Sequence, residues 1–301
     1  MYNIVFIVGP TATGKSELAF NIAKKVKAEI VSCDSMLVYK EPRIITSKPP
    51  YTMLKEVKHY FIDIISVKDT YDVFRYYTEA KRIIIDLYSQ GRKVIVCGGS
   101  GLYMKVLLDG IFKGSSRDDE LRKNLEKEAK EKGNMSIYNR LKEVDPSAAE
   151  KISPNDTKRV IRALEVYYTV GRPISEKQKE REGLWNRYPI KVFGLAIERK
   201  KLYERINLRV EKMFEEGIVE EVQRLLELPL SITAQKIIGI NEIKGYLEGK
   251  YSLSEAKSLI AKNTCNFAKR QFTWFKKDKR IQWIDAEKKL VDKDKIILKN
   301  F

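Results

Sequence analysis

Three short stretches of this chain carry residue types that could handle a phosphorylated substrate. The first is Gly9-Pro10-Thr11-Ala12-Thr13-Gly14-Lys15-Ser16, set between an apolar run and an amphipathic one. GxxxxGK[ST] spacing in that context is a phosphate loop. Its glycines let backbone N–H groups turn toward one point, the following helix N-terminus adds positive potential, and Lys15 supplies a mobile cation. Ser16 is placed to hold Mg2+ beside the phosphates. The motif specifies a di- or triphosphate ligand and leaves the reaction open.

The second stretch is Asp34-Ser35-Met36-Leu37, directly after the apolar residues 29–33. The third, Gly98-Gly99-Ser100-Gly101, follows KVIVC at 93–97. In a doubly wound sheet, ligands bind at the carboxyl ends of the strands. A carboxylate at such an end, next to a phosphate loop, is a candidate general base or Mg2+ contact; an isolated Asp would merely cap a turn. Two adjacent glycines allow close approach of backbone to a ligand, although a tight turn with a serine cap needs them too.

These groups need a scaffold. Residues 1–8 read as a buried strand, about 15–26 as a helix, 29–33 and 93–97 as further strands, and 73–88 as a helix ending near Gly91. Continuous apolar strands alternating with helices mean a parallel sheet covered on both faces. From about residue 113 to 188 helix formers and dense charge dominate, as in ELRKNLEKEAKEKG. Strand character returns at KVFGLAI (191–197), followed by long amphipathic helices near 201–226 and 253–275 and a strand-like RIQWID. The expectation is an α/β fold, a parallel sheet like that of the P-loop NTPases, with an all-helical insertion. It divides as 1–112 (first part of the core), 113–189 (insertion) and 190–301 (remainder of the core with C-terminal helices).

The composition fits a protein with a real core: 301 residues, 43% hydrophobic and 33% charged. No apolar run approaches the roughly 20 residues of a membrane span. The first ten residues lack the basic leader and cleavage site of a signal peptide. Cys33, Cys97 and Cys265 are far apart and odd in number, so a reduced cytoplasm is the expected compartment. A single histidine, His59, and no Cys/His cluster argue against a protein-held transition metal. The net charge of +17 fits a lysine-rich solvated surface or the footprint of a polyanion. No basic amphipathic anchor accompanies it, which favours nucleic acid over membrane.

GPTATGKS, DSMLVYK and GGSGLYMKVLLDG together resemble the three N-terminal signatures of the tRNA dimethylallyltransferases, also called tRNA isopentenyltransferases or IPP transferases. Further similarities follow in the same order: HYFIDI with YDVF, DPSAAEKISPNDTKRVIRALEVYYTVGRPIS, KIIGINEIKGYLEGKYSLSEA and NTCNFAKRQFTWFK. The resemblance runs from about residue 3 to 285. The chain departs from it at EPRIITSKP, where a Gly-Met-Asp-Ile-Gly-Thr-like stretch is usual, and at Tyr60 (usually a second His), Ile240 (Tyr) and Cys265 (Arg). Ile240 and Cys265 fall in regions the family uses near tRNA, so tRNA affinity or preference is where they bear.

The resemblance implies transfer of a dimethylallyl group from dimethylallyl pyrophosphate to the exocyclic amine of adenosine-37, next to the anticodon of tRNA. Neutralising the leaving pyrophosphate promotes ionisation of the allylic C–O bond, which the phosphate loop, Lys15 and Mg2+ on Ser16 would do. The adenine amine is a weak nucleophile and needs a proton acceptor, a role the resemblance gives Asp34. It puts Ser100 at the base-binding end of the channel, and Thr11 and Thr13 would offer hydroxyls near the pyrophosphate. The target base must leave its stack to reach such a pocket. The implied tRNA contacts are Asp34, Ser35, Met36, Leu37, Ser100, Arg122, Lys158, Arg159, Val160, Ile161, Arg162, Lys236, Ile237, Ile238, Gly239, Ile240, Asn241, Lys269 and Arg270. Helical spacing places Lys158 or Arg159 on one face with Arg162, although a solvated charged stripe has the same spacing. Trp274 and Phe275 read as core in preference to base-stacking residues. The expected partners are the anticodon stem-loop of tRNA and dimethylallyl pyrophosphate, with Mg2+ as cofactor and a monomeric enzyme.

Three alternatives remain. A small-molecule kinase shares the strand–loop–helix and acidic strand end, but leaves the long DP…PND…RVIRALEVY motif and the +17 charge without a use. A relative that prenylates free adenine nucleotides has no need of a basic C-terminal half. A non-catalytic RNA-binding module has no use for Lys15 and Asp34 together.

Overall fold

A computed structural model describes residues 3–112, 118–299 and 301. It divides into two compact units, Met1–Leu108 with Leu184–Phe301, and Asp109–Gly183. Residues 1 and 2 of the expected first strand, and 113–117 at the expected start of the insertion, lie outside the described residues.

The larger unit is built on β1 (Ile4–Val8), α1 (Lys15–Val26), β2 (Glu29–Ser32), α2 (Tyr51–Glu56), β3 (His59–Tyr60), α3 (Val73–Ser89), β4 (Val94–Gly98) and α4 (Gly101–Asp109). After the helical unit, with α5 (Asp119–Lys132), α6 (Asn134–Val144), α7 (Pro146–Ala149), α8 (Thr157–Val170) and α9 (Ile174–Lys177), the chain returns. It adds β5 (Ile190–Ala196), α10 (Arg199–Glu215), α11 (Ile218–Leu226), α12 (Ile240–Leu247), α13 (Leu253–Lys276), β6 (Ile281–Asp285) and α14 (Leu290–Leu298).

The six strands pair in parallel in the order β3-β2-β4-β1-β5-β6. The continuous apolar runs of β1 and β4 follow from double-sided burial: all five residues of each are buried. Alternate residues Val5, Ile7, Ile95, Cys97, Phe193 and Leu195 form one core with Leu18 and Ile22 of α1 and Ile297 of α14. The intervening Ile4, Phe6, Val8, Val94 and Val96 are fully buried on the other face. There α3 brings Tyr76, whose hydroxyl donates to the Ser32 carbonyl at 3.0 Å and whose ring stacks on Tyr103 of α4. Each such large buried side chain contributes about 1.5–3 kcal/mol.

The helix expected over 201–226 is two helices. Gly217 adopts φ 89° and separates α10 from α11, because a left-handed residue cannot continue a right-handed helix. β3, α2, α12 and α14 are short elements with little periodic signal in the sequence.

The helical unit has its own core, with Leu125 and Ala129 of α5, Ile137 and Leu141 of α6, and Val160, Ile161 and Leu164 of α8. Asp156 caps α8 by accepting the Arg159 N–H at 3.2 Å, and Gly171 closes it at φ 74°.

Candidate active site

β1 delivers the chain into the phosphate loop through Gly9 at φ 141°, where a Cβ would lie 2.6 Å from the Leu195 carbonyl oxygen. Ala12 (φ 62°) and Gly14 (φ 83°) are also left-handed, which turns the loop back onto the first residues of α1. Those first N–H groups have no partner within the helix and face an incoming ligand. Lys15 is buried, and its Nζ donates to the Pro10 carbonyl at 2.5 Å. Burial pulls its pKa down to about 8, with Arg209 acting in the same direction and Cys97 and Asp34 against it. Thr13, expected to offer a hydroxyl to the pyrophosphate, is instead fully buried and donates to the Pro10 carbonyl at 2.9 Å. It shapes the loop from behind.

Two residues with no role assigned from sequence complete the loop. Arg209 of α10 donates from Nη1 to Thr11 Oγ1 at 2.9 Å. Its Nε is buried without a hydrogen-bond partner, and burial lowers its pKa while the nearby Asp34 acts against that. Gln271 of α13 accepts the Thr11 N–H at 2.8 Å. Arg209 sits in a charged amphipathic helix and Gln271 within NTCNFAKRQFTWFK at core-facing spacing, and only folding brings either to the loop.

The strand ends beside the loop are stitched together. The Cys33 N–H donates to the Cys97 carbonyl at 2.7 Å, and the Ser100 N–H donates to the Cys33 carbonyl at 3.0 Å. A Cβ at Gly98 would lie 2.1 Å from the Cys33 oxygen, so only glycine fits. Asp34 Oδ1 accepts the Met36 N–H at 2.9 Å, which fixes the carboxylate in a turn. Its other oxygen carries no hydrogen bond among the described residues. Ser100 opens α4, its Oγ accepting the Tyr103 N–H at 3.4 Å.

A cleft of about 320 Å³ joins these groups. Thr11, Ala12, Gly14, Lys15, Ser16, Asp34, Leu37 and Arg209 line it with Gly98 and Gly99. Ser100, Ser35 and Met36 are half-buried beside it and are not among the lining residues. Its other wall is Thr46-Ser47-Lys48-Pro49, from the segment that departs from the family pattern, with Pro50 and with Met53 of α2. That wall is held by Glu221 of α11, whose carboxylate accepts the N–H groups of Arg43, Ile44 and Ile45 at 2.8, 2.8 and 2.9 Å. Lys48 adds a buried ammonium that donates to the Tyr39 and Lys40 carbonyls and pairs with Asp63.

A second cleft, of about 180 Å³, gathers Lys236, Ile237, Ile238 and Asn241 with Arg270, and adds Glu242, Asn263 and Asn266. Glu242 organises it by accepting the Gly239 N–H at 2.8 Å and the Asn263 side-chain amide at 2.6 Å. Gly239 and Ile240 are buried, and Lys269 is exposed outside this cleft. Phe275 is fully buried, while Trp274 is 38% exposed and packs over Gly101.

Within the helical unit, Lys158 and Arg159 are exposed, and Arg159 pairs with Asp156 at 3.1 Å. Val160 and Ile161 belong to the core, so their side chains face inward. Arg122 and Arg162 converge on the fully buried Glu165. Arg122 donates from Nε and Nη2 at 2.7 and 2.8 Å, Arg162 from Nη1 at 2.5 Å, and the Asp118 N–H at 3.0 Å. Burial alone would raise the Glu165 carboxyl, but these hydrogen bonds outweigh it and hold the pKa at about 2.

The sequence profile described as IPP transferase matches residues 37–278. The tRNA dimethylallyltransferase of Acetivibrio thermocellus is 44% identical over 303 residues, spanning 100% of this chain and 96% of that protein. The crystal structure of the full-length tRNA isopentenylpyrophosphate transferase of Bacillus halodurans superposes with a TM-score of 0.72 at 32% identity, over 100% of this chain and 97% of that one. A eukaryotic dimethylallyltransferase acting on tRNA superposes with a TM-score of 0.82 at 28% identity, over 96% and 75% respectively.

Proposed function

The chain belongs to the IPP transferase family, and we propose that it transfers a dimethylallyl group from dimethylallyl pyrophosphate to the exocyclic amine of adenosine-37 in tRNA. The observation that carries the donor assignment is the pair Lys15 and Arg209. Both cations line the cleft at the phosphate loop, and neither forms an ion pair among the described residues. Cations partly withdrawn from water without an ion-pair partner are stabilised by an anion that arrives with the substrate.

In the proposed reaction the adenine amine attacks the allylic carbon, the bond from that carbon to oxygen breaks, and pyrophosphate departs with the bonding electrons. Lys15, Arg209 and the N–H groups at the start of α1 bind the pyrophosphate and stabilise its growing charge. Asp34, through its free oxygen, takes the proton the amine loses. Leu37 and Met53 supply apolar surface in the same cleft, suited to the five-carbon chain.

Among the described residues no group of three or more His, Cys, Asp or Glu could hold a metal ion by itself. The exposed Ser16 hydroxyl at the start of α1 would be the residue to hold Mg2+. When bound, the ion would neutralise part of the pyrophosphate charge.

For the tRNA, the cleft formed by Lys236, Ile237, Ile238, Asn241 and Arg270 offers cations and amides at one place, as readout of splayed bases and their phosphates requires. Exposed Lys158 and Arg159 add electrostatic contacts. No described helix is long and apolar enough to cross a membrane. The proposed working form is a monomer in the cytoplasm. Incubation with unmodified tRNA and radiolabelled dimethylallyl pyrophosphate, with ATP in a parallel tube, tests the reading. Label in tRNA without ATP supports it, and phosphoryl transfer from ATP in its place would refute it.

A further inference from the structure

The phosphate loop and the glycine turn share one side chain. Gln271 is buried, 260 residues from Thr11 and 172 from Gly99. Its Oε1 accepts the Thr11 N–H at 2.8 Å while its Nε2 donates to the Gly99 carbonyl at 2.9 Å. A side-chain amide is suited to this because its planar head presents an acceptor and a donor at once. Gly99 is closed around it, since a Cβ there would lie 2.3 Å from Gln271 Nε2. Three residues along α13, Trp274 fills the space over Gly101, where a Cβ would lie 2.3 Å from the indole.

The parallel ladder between β1 and β4 ends at Val8 and Gly98. Beyond it, among the described residues, no backbone hydrogen bond joins the phosphate loop to the glycine turn. Gln271 is the polar link between them.

We infer that Gln271 is a positioning residue for the transfer reaction, which fixes the spacing between the loop that holds the pyrophosphate and the turn beside Asp34. The inference rests on the function proposed above. Each half would keep its own ligand contacts if the amide were lost, because Lys15 and Arg209 lie on the loop side and Asp34 leaves β2. Bond formation is more demanding than binding. The reacting atoms must come within about 3–3.5 Å, and a misplacement of about 1 Å costs roughly 100-fold in rate. Gln271 therefore acts on rate and leaves affinity nearly unchanged.

Gln271→Met keeps the length of the side chain and removes both hydrogen bonds. Its single-turnover rate at saturating tRNA and labelled dimethylallyl pyrophosphate should be divided by the number of sites that bind inorganic pyrophosphate. That rate per site should fall about 10–100-fold, with pyrophosphate and tRNA affinities within about threefold of wild type. Gln271→Glu keeps the acceptor for Thr11 but, when ionised, has no donor for Gly99. Its buried carboxylate would also face the Gly99 carbonyl and repel pyrophosphate, so the neutral Gln271→Leu, which removes both hydrogen bonds without adding charge and should lower the rate per site to the same extent, serves if the Met variant fails to fold. A rate per site within about threefold of wild type in the folded neutral variants would overturn the inference, as would a loss of pyrophosphate affinity as large as the loss of rate. Wild-type protein that transfers no label would instead overturn the proposed function.

Discussion

Arg209 Nη1 lies 2.9 Å from Thr11 Oγ1, across 198 residues of sequence, and this contact turns a one-lysine phosphate loop into a site with two cations. Thr11 is held twice, its hydroxyl by Arg209 and its N–H by Gln271. Arg209 lines the same cleft, and its Nε is buried without a hydrogen-bond partner.

Arg209→Lys should therefore behave as a severe change. The ammonium keeps the charge but cannot both hold Thr11 and present a second planar donor. Loss of one charge-assisted hydrogen bond predicts a fall of about 10–100-fold in inorganic pyrophosphate affinity, with tRNA affinity nearly unchanged. Calorimetric titration with each ligand checks this, and an equal loss for both would refute the division.

Lys15 should give pyrophosphate binding an alkaline limit. Its folded pKa of about 8 is below the ordinary 10.5, so the charged form costs stability. That cost is fully present below pH 8 and is relieved as pH rises from 8 to 10.5. An anionic ligand favours the charged form, so affinity should fall by up to about tenfold per pH unit above the folded pKa. Lys15→Arg stays charged and should lack this component. Subtracting its pH profile from that of wild type also removes the titration of pyrophosphate itself.

Asp34→Asn preserves size and one acceptor oxygen. If Asp34 takes the proton of the amine, the single-turnover rate should drop by about 10²–10⁴-fold with little change in either affinity. If it contacts Mg2+, activity should recover at high Mg2+. A near-normal rate at ordinary Mg2+ would leave Asp34 as the cap of the turn it makes with Met36.

Basic residues of α8 should separate into two classes. Lys158→Ala and Arg159→Ala should each reduce the log–log salt slope of tRNA binding by about 1 per lost phosphate contact, leaving stability unchanged. Arg162→Ala removes one of two guanidinium partners of the buried Glu165 and should destabilise the helical unit by about 1–3 kcal/mol. Thermal melts of the three variants decide, and equal melting temperatures would place Arg162 with the exposed pair.

What the sequence determined is what depends on neighbours in the chain. Gly9–Ser16 between an apolar run and an amphipathic helix defines a phosphate loop, because φ at Gly14 and the N–H groups of α1 are set within a few residues. Asp34 at the end of β2 follows from the same logic, since the pattern of a parallel sheet fixes which ends of the strands face a ligand. The tertiary structure alone decided which distant side chains complete the site. Arg209, Gln271 and Glu221 sit in amphipathic helices, Gln271 and Glu221 on the buried faces, and long-range hydrogen bonds give them their roles. Thr13 shows the limit from the other side. Its place in the motif suggested a ligand contact, but whether a hydroxyl points outward or back to the Pro10 carbonyl depends on how the turn packs against the sheet.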